Sequence, residues 1–272
     1  MKPAPLLPSD IPAQDWQGQA ITAERCRACA HADVRGHAQH PCAPGHSCVH
    51  DVYARRIDRF FRHHPQLAGA YLTHPYFEVR AIAVRFADRF SLTTLLKDPD
   101  ETVRLQLALR LPQRLLRSLR DDPHREVRIR VAHRIDVAEL PALAQDPDYQ
   151  VRHIVAQRLP EALLPVLMHD ADLQVRLAVA QRLPMPALWR MAHDAAPEVR
   201  RVLAQRLPVP LLASLAADND WTVRWEAAGR ATGATLAALA TDVEPEVRER
   251  AIARMGLAAG EPAEQALETG HV

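Results

Sequence analysis

Asp146-Pro147-Asp148-Tyr149-Gln150-Val151-Arg152-His153-Ile154-Val155-Ala156-Gln157-Arg158-Leu159-Pro160 returns 24 residues later as Asp170-Ala171-Asp172-Leu173-Gln174-Val175-Arg176-Leu177-Ala178-Val179-Ala180-Gln181-Arg182-Leu183-Pro184. The Val-Arg pair keeps this interval through eight copies, from Val79-Arg80 to Val247-Arg248. A period of this length means a stacked array, in which no unit buries its own apolar face. With the repeated Val as position 0, apolar residues or Ala fall at 0, +4, +5 and +8, as in Val151, Val155, Ala156 and Leu159. At ~100° per residue these form one stripe of an α-helix. An Asp at −5 (Asp98, Asp122, Asp146, Asp170, Asp194, Asp218 and Asp242), followed in three units by Pro, reads as a helix cap. Pro112, Pro160, Pro184 and Pro208 at +9 disfavour continuation of the helix. The second half of each unit has apolar residues near +12, +13 and +16. That spacing predicts one or two turns of α- or 3₁₀-helix rather than a strand. The array is all-α.

Arginine stands at +1 in all eight units: Arg80, Arg104, Arg128, Arg152, Arg176, Arg200, Arg224 and Arg248. It stands at +7 in seven: Arg110, Arg134, Arg158, Arg182, Arg206, Arg230 and Arg254. On a helical wheel +1 lies inside the apolar stripe, and a guanidinium in the first turn opposes the helix dipole, so it requires an anion nearby. The Asp at −5, in the same or the neighbouring unit, is the expected partner. The alternative is a cationic stripe tracking phosphates. From Tyr71 to Met255 there are 26 Arg or Lys against 24 Asp or Glu, which favours the structural ladder. Over the whole chain the formal charge is +1, with no overall drive toward nucleic acid or an anionic membrane. Aromatic residues make up only 5%, so Leu, Val, Ile and Ala must build the core.

All four cysteines precede the array: Cys26, Cys29, Cys42 and Cys48, spaced C-x₂-C-x₁₂-C-x₅-C. No apolar run approaches the ~20 residues of a membrane span. The Pro-rich, acidic N-terminus lacks a secretory pattern, so a cytoplasmic location is expected. In a reducing compartment four thiols point to a metal site rather than to disulfides. The surrounding segment has too little apolar material to fold unaided, so ligation should supply its stability. Spacing alone leaves zinc and iron–sulfur open, with Cys₄ zinc the commoner structural choice. Histidines 31, 37, 40, 46 and 50 crowd the stretch, but four thiolates already complete a shell. His46 and His50 are candidates for hydrogen bonds to the ligands or for plain solvation. Val49, Val52, Tyr53, Ile57, Phe60 and Phe61 suggest an amphipathic helix packing this segment on the first repeat. Trp189, Trp221 and Trp225 read as packing or surface residues.

The V-R-x-x-x-A-x-R-L-P core, as in Val151–Pro160 and Val175–Pro184, resembles the leucine-rich repeat variant (LRV) family. The resemblance covers roughly Leu67 to Met255. It implies repeats alternating a short α-helix with a 3₁₀-helix, stacked as a right-handed superhelical solenoid behind a small cysteine-rich domain. Cys26-Arg27-Ala28-Cys29, Pro41-Cys42 and Pro44-Gly45-His46-Ser47-Cys48 look like that domain. By the resemblance it holds a [4Fe–4S] cluster on Cys26, Cys29, Cys42 and Cys48, which reverses the preference for zinc. A bacterial setting, often nitrogen-fixing, is implied by association only.

The expected organisation is a flexible N-terminus over 1–20, a Cys₄ cluster domain over 21–65, the solenoid over 66–257 and a disordered tail over 258–272. G-x-S-x-G, P-loop, H-E-x-x-H, dinucleotide and radical-SAM C-x₃-C-x₂-C motifs are all missing from the sequence. The expected function is therefore non-enzymatic: an iron–sulfur scaffold binding a protein partner on its superhelical surface, its cluster redox-sensing, electron-transferring or structural. The competing reading is a nucleic-acid-binding solenoid with a structural Cys₄ site.

Overall fold

The computed structural model describes residues 11–35 and 42–259, with side chains through Gly256. The expectations for a flexible stretch before residue 11 and a disordered tail after 259, and His37 and His40, lie outside the described residues. The helices are α1 (Ala23–Arg27), α2 (Ala54–His63), α3 (Phe77–Val84), α4 (Glu101–Arg110), α5 (Gln113–Leu116), α6 (Arg125–Arg134), α7 (Tyr149–Arg158), α8 (Leu173–Arg182), α9 (Pro197–Arg206), α10 (Trp221–Ala228), α11 (Gly233–Leu239) and α12 (Pro245–Ala259). 3₁₀-helices over 65–71, 89–95, 137–143, 161–167, 187–191 and 209–214 fill most of the second halves. Unit two instead uses the single turn α5 running into a 3₁₀ turn over 117–119, and unit seven uses α11. Among the described residues β-structure is limited to the isolated bridges Gln14–Ala20 and Ala43–Ser47.

The chain divides into two units, residues 1–139 and 140–272. In the first, α2 packs on α3, α3 on α4, and α4 on α6. In the second the order of packing is α7, α8, α9, α10, α12. The core is columnar. Every repeated Val, from Val79 to Val247, is fully buried. So are Ala108, Ala132, Ala156, Ala180, Ala204 and Ala228 at +5, where a small side chain lets successive helices approach closely. Leu92, Leu116, Leu140, Leu164, Leu188 and Leu212 come from the second halves and complete the columns. Each buried Val or Leu contributes about 1.5–3 kcal/mol by leaving water. One unit supplies too few such residues to stand alone.

The two arginine ladders separate into different devices. In six units the +1 guanidinium grips the −5 aspartate of the next repeat in a two-point fork. Arg152 Nε and Nη2 donate to Asp170 Oδ2 and Oδ1 at 2.7 and 2.9 Å, and Arg200 does the same to Asp218 at 2.7 and 2.8 Å. Arg80–Asp98, Arg104–Asp122, Arg176–Asp194 and Arg224–Asp242 repeat the geometry. The remaining Nη1 donates to two carbonyls of the arginine's own turn, as Arg200 does to Asp194 and Ala195. The ladder thus crosses from one repeat to the next rather than closing within one unit. Arg248, in the last unit, keeps its carbonyl bonds to Asp242 and Val243.

The −5 aspartate is not the helix cap expected from sequence. The caps are Asp100, Asp148, Asp172 and Asp220, two residues later, each accepting a backbone N–H of the first turn. The −5 carboxylate instead closes an Asx turn, as Asp170 Oδ1 does by accepting Asp172 N–H at 2.9 Å, and takes the neighbour's arginine. Two aspartates a dipeptide apart divide the work, and the periodicity alone could not say which was which.

Five of the +7 arginines, Arg110, Arg134, Arg182, Arg206 and Arg230, serve backbone carbonyls instead. Arg182 Nη1 and Nη2 donate to Ala156 and Leu159 carbonyls, at 2.6 and 2.8 Å, at the C-terminus of the preceding repeat's helix. Arg110, Arg134, Arg206 and Arg230 act in the same way. A cation there satisfies orphan carbonyls and complements the negative end of the helix dipole.

Ahead of the first Val-Arg pair, α2 and the 3₁₀-helix 65–71 already alternate as a repeat does. A further, divergent unit thus precedes the eight Val-Arg copies, with Leu67 and Tyr71 in its 3₁₀-helix. Its helix starts at Ala54, so Val49, Val52 and Tyr53 lie in the preceding turn and not in the amphipathic helix expected over 49–61. Ile57, Phe60 and Phe61 are fully buried, as that reading required. In the first Val-Arg unit His74 stands where later units have Asp. Its Nδ1 accepts Tyr76 N–H at 3.1 Å and so reproduces the turn without the carboxylate. Trp221 is exposed and Trp189 half-buried, while Trp225 lies under the Arg250 guanidinium at 3.4 Å.

Candidate metal centre

Cys26 sits in α1, a short helix opened by Thr22, whose side chain accepts Arg25 N–H. Cys29 follows in the turn after that helix. Cys42 and Cys48 flank a tight loop closed by the Ala43–Ser47 bridge, with Gly45 at φ +72°, a conformation glycine adopts without strain. Cys48 N–H donates to Arg56 O at 3.2 Å, which ties the last thiol to α2. Arg56 is itself buried. It is held by Asp51 at 3.1 Å and by the carbonyls of Ile11 and Pro12. The loop is pinned to the first helix of the array by backbone bonds and one buried ion pair.

All four thiols line a single cavity of about 320 Å³, together with Ile21, Arg25, Ala30, His31, Arg35 and His50. They are distributed over its wall. Among the described residues no three Cys, His, Asp or Glu side chains stand together as a shell for one ion. Cys48 is buried and the other three are half-buried. The thiols of Cys42 and Cys48 hydrogen-bond to one another. That contact pushes Cys48 far up, with burial adding to it, and draws Cys42 down. The His50 backbone N–H, not its ring, donates to the Cys48 sulfur. Burial, reinforced by the Cys48 sulfur, raises Cys26.

Of the two histidines singled out from sequence, His50 lines the cavity, whereas His46 is exposed and its carbonyl accepts Arg59 Nη1 at 2.8 Å. His31, which the spacing did not distinguish, also lines the cavity. Its Nε2 hydrogen-bonds the Tyr71 hydroxyl, and its ring lies 5.2 Å from that of Phe60 and 6.4 Å from that of His50. Burial lowers the affinity of both rings for a proton. Tyr71 comes from the 3₁₀-helix after α2, so no local pattern could have placed it against His31. The signal that could have found it is the surplus of aromatic residues between 60 and 77 in a chain otherwise poor in them.

Among the described residues no helix is long and apolar enough to cross a membrane. Residues 13–70 match the family model described as LRV protein FeS4 cluster, and residues 149–172 match the leucine rich repeat variant model. A Rhodobacter capsulatus protein, described as an uncharacterized 27.7 kDa protein in the nifB 3′ region, is 45% identical over 108 residues, or 39% of this chain. The match spans only 41% of that relative's length. A solved structure, described as a leucine-rich repeat variant with a novel repetitive protein structural motif, superposes with a TM-score of 0.78. It is 44% identical in sequence, and the match covers 84% of this chain and 97% of that one. The stacked α/3₁₀ units and the cysteine segment ahead of them agree with these likenesses, and the chain belongs to the leucine-rich repeat variant family.

Proposed function

We propose that the chain is a non-catalytic iron–sulfur scaffold, with a [4Fe–4S] cluster held by Cys26, Cys29, Cys42 and Cys48 and the repeat faces presented to a protein partner in the cytoplasm. The observation carrying the proposal is the convergence of all four thiols on one cavity. A single zinc draws its four sulfurs to about 2.3 Å, so that they meet around one point. Here the sulfurs line a cavity roughly ten times the ~30 Å³ share of a water molecule. Room between distributed thiols suits a multi-iron core whose ligands sit on different irons. Such a cluster, when bound, supplies one-electron chemistry. The protein's own part is to fix the ligand sulfurs, to donate the His50 backbone N–H to Cys48, and to wall the site with Ile21 and Ala30.

The scaffold half of the proposal draws on the arginine ladders. Six +1 guanidiniums grip aspartates and five +7 guanidiniums serve carbonyls, which takes most of both ladders out of a phosphate track. Anaerobic purification followed by iron, sulfide and zinc analysis tests the cluster. Four irons and four sulfides per chain are expected, and a colourless protein with one zinc and no sulfide would overturn it. Reversible cycling by dithionite and a mild oxidant, followed by electron paramagnetic resonance, separates a redox role from a purely structural one.

A further inference from the structure

The repeats serve as their own control for what stacking requires. At the corner between the two halves of a unit, the position of Arg89 is taken in the other units by Gln113, Val137, Glu161, Met185, Val209 or Gly233. The next position holds Phe90 in unit one and Arg114 in unit two, but Ala or Pro in units three to seven. Stacking therefore does not need Arg89, Phe90 or Arg114. All three nevertheless meet at one groove of about 620 Å³ in the first unit of the chain, with Phe86, Pro112 and Leu115 in its lining. Phe90 is 81% exposed, an unusual place to leave a phenyl ring. Arg89 and Arg114 have neither a carboxylate nor a carbonyl partner in the hydrogen bonds and ion pairs described, and both are exposed.

The groove also carries three guanidiniums against one carboxylate. Arg110 enters it while donating to the Ala87 carbonyl at 2.9 Å, and Asp88 is the one acid in the lining. Burial and then the charge of Arg89 hold the Arg110 and Arg134 guanidiniums below their usual range. Cations gathered around an apolar floor are a surface that an anion with apolar side chains would relieve.

We infer that this groove docks an extended acidic segment of a protein partner, its carboxylates on Arg89 and Arg114 and an apolar side chain against Phe90. A peptide fits better than a nucleic acid. The floor offers apolar contact that a sugar–phosphate chain does not use, and the basic corner spans only two units where a strand would need a longer track. The inference rests on the scaffold reading above and names the chemistry of its partner.

The test is fluorescence anisotropy of a labelled Glu-Leu-Glu-Glu-Phe-Glu-Leu peptide against the full-length, cluster-loaded protein, with a labelled oligothymidine of equal charge in parallel. Saturable binding is expected, weakening as salt shortens the ~10 Å screening length. Arg89→Glu and Arg114→Glu should each weaken it at least tenfold, and Phe90→Ala about fivefold, in the range of charge-assisted and aromatic contacts. Lys97→Glu, an exposed change outside the groove, should stay within twofold. Unchanged thermal melting shows that the variants fold.

No saturable peptide binding, or equal losses in Lys97→Glu, overturns the groove. Oligothymidine binding tighter than the peptide and losing affinity in the same variants overturns the choice of partner. The scaffold reading would survive a failed groove if a native partner, identified after copurification, bound the groove variants and the wild type equally. It would fall with the groove if the wild type bound no partner.

Discussion

Removing one rung of the interrepeat ladder should show what the Val-Arg period is for. Arg200 and Asp218 form a two-point fork, with side chains 15% and 9% exposed. In Asp218→Ala the guanidinium keeps its carbonyl bonds to Asp194 and Ala195 but loses its anion, and the Asx bond to Asp220 N–H disappears as well. In Arg200→Ala the carboxylate is left with that Asx bond alone. Breaking a buried pair costs about 3–5 kcal/mol. Slight exposure and the surviving bonds put each single change near the lower end, at about 3 kcal/mol. At roughly 3 °C per kcal/mol, melting should fall by about 9 °C. The double variant should cost less than the sum, leaving a coupling of about 2 kcal/mol. Urea unfolding of the four proteins, followed by circular dichroism, measures the cycle. Repeating it in about 1 M salt should change the coupling little, because a pair so shielded is weakly screened. Single losses under about 1 kcal/mol, or strict additivity, would refute the view that the ladder stitches one repeat to the next.

Three further outcomes are expected. Arg224 holds the Asp242 carboxyl below the usual carboxylate range against the opposing effect of burial, and Arg152 does the same for Asp170, where burial is the largest influence but is outweighed. A carboxyl depressed in the folded state adds stability that is present above the unfolded value of about 3.9 and lost as pH falls through the folded one. Melting should therefore decline gently below about pH 6.5, where buried His31, His50 and His74 resist protonation, and drop more steeply below about pH 4, with a smaller drop below about pH 4 in Arg224→Gln. Parallel curves for the two proteins would count against the pairing. A Cβ at Gly229 would overlap the Arg250 guanidinium, so Gly229→Ala should displace that guanidinium from Trp225 at a cost of about 1 kcal/mol. Unaltered Trp225 emission, in a background with Trp16, Trp189 and Trp221 changed to Phe, would show that the stack persists. Cys42→Ser should lower bound iron at least tenfold, by elemental analysis, while the helical signal of the repeats survives. Full iron occupancy in that variant would remove Cys42 from the ligand set.

Much of this protein could be read from one repeat. The stripe at 0, +4, +5 and +8 became α-helix with the Val fully buried in every unit, and Pro160 ended its helix as proline must. Local chemistry misled where two residues of one kind compete. Asp146 and Asp148 both suit a cap, and only the direction of the neighbouring chain assigns the cap to Asp148 and the turn to its partner. The earlier unit departs from the Val-Arg consensus, because Arg55-Arg56 stands in that register and the buried Arg56 serves the cysteine segment instead.

The helical array, its period and the four thiols are legible in the chain alone, because periodicity and spacing are one-dimensional properties. Folding alone sets which repeat an Arg200-type guanidinium grips, brings His31 rather than His46 to the thiols, and gathers Arg89, Phe90 and Arg114 at one groove. Those contacts join residues that stacking brings together from different turns of the solenoid, and no interval along the chain encodes that proximity.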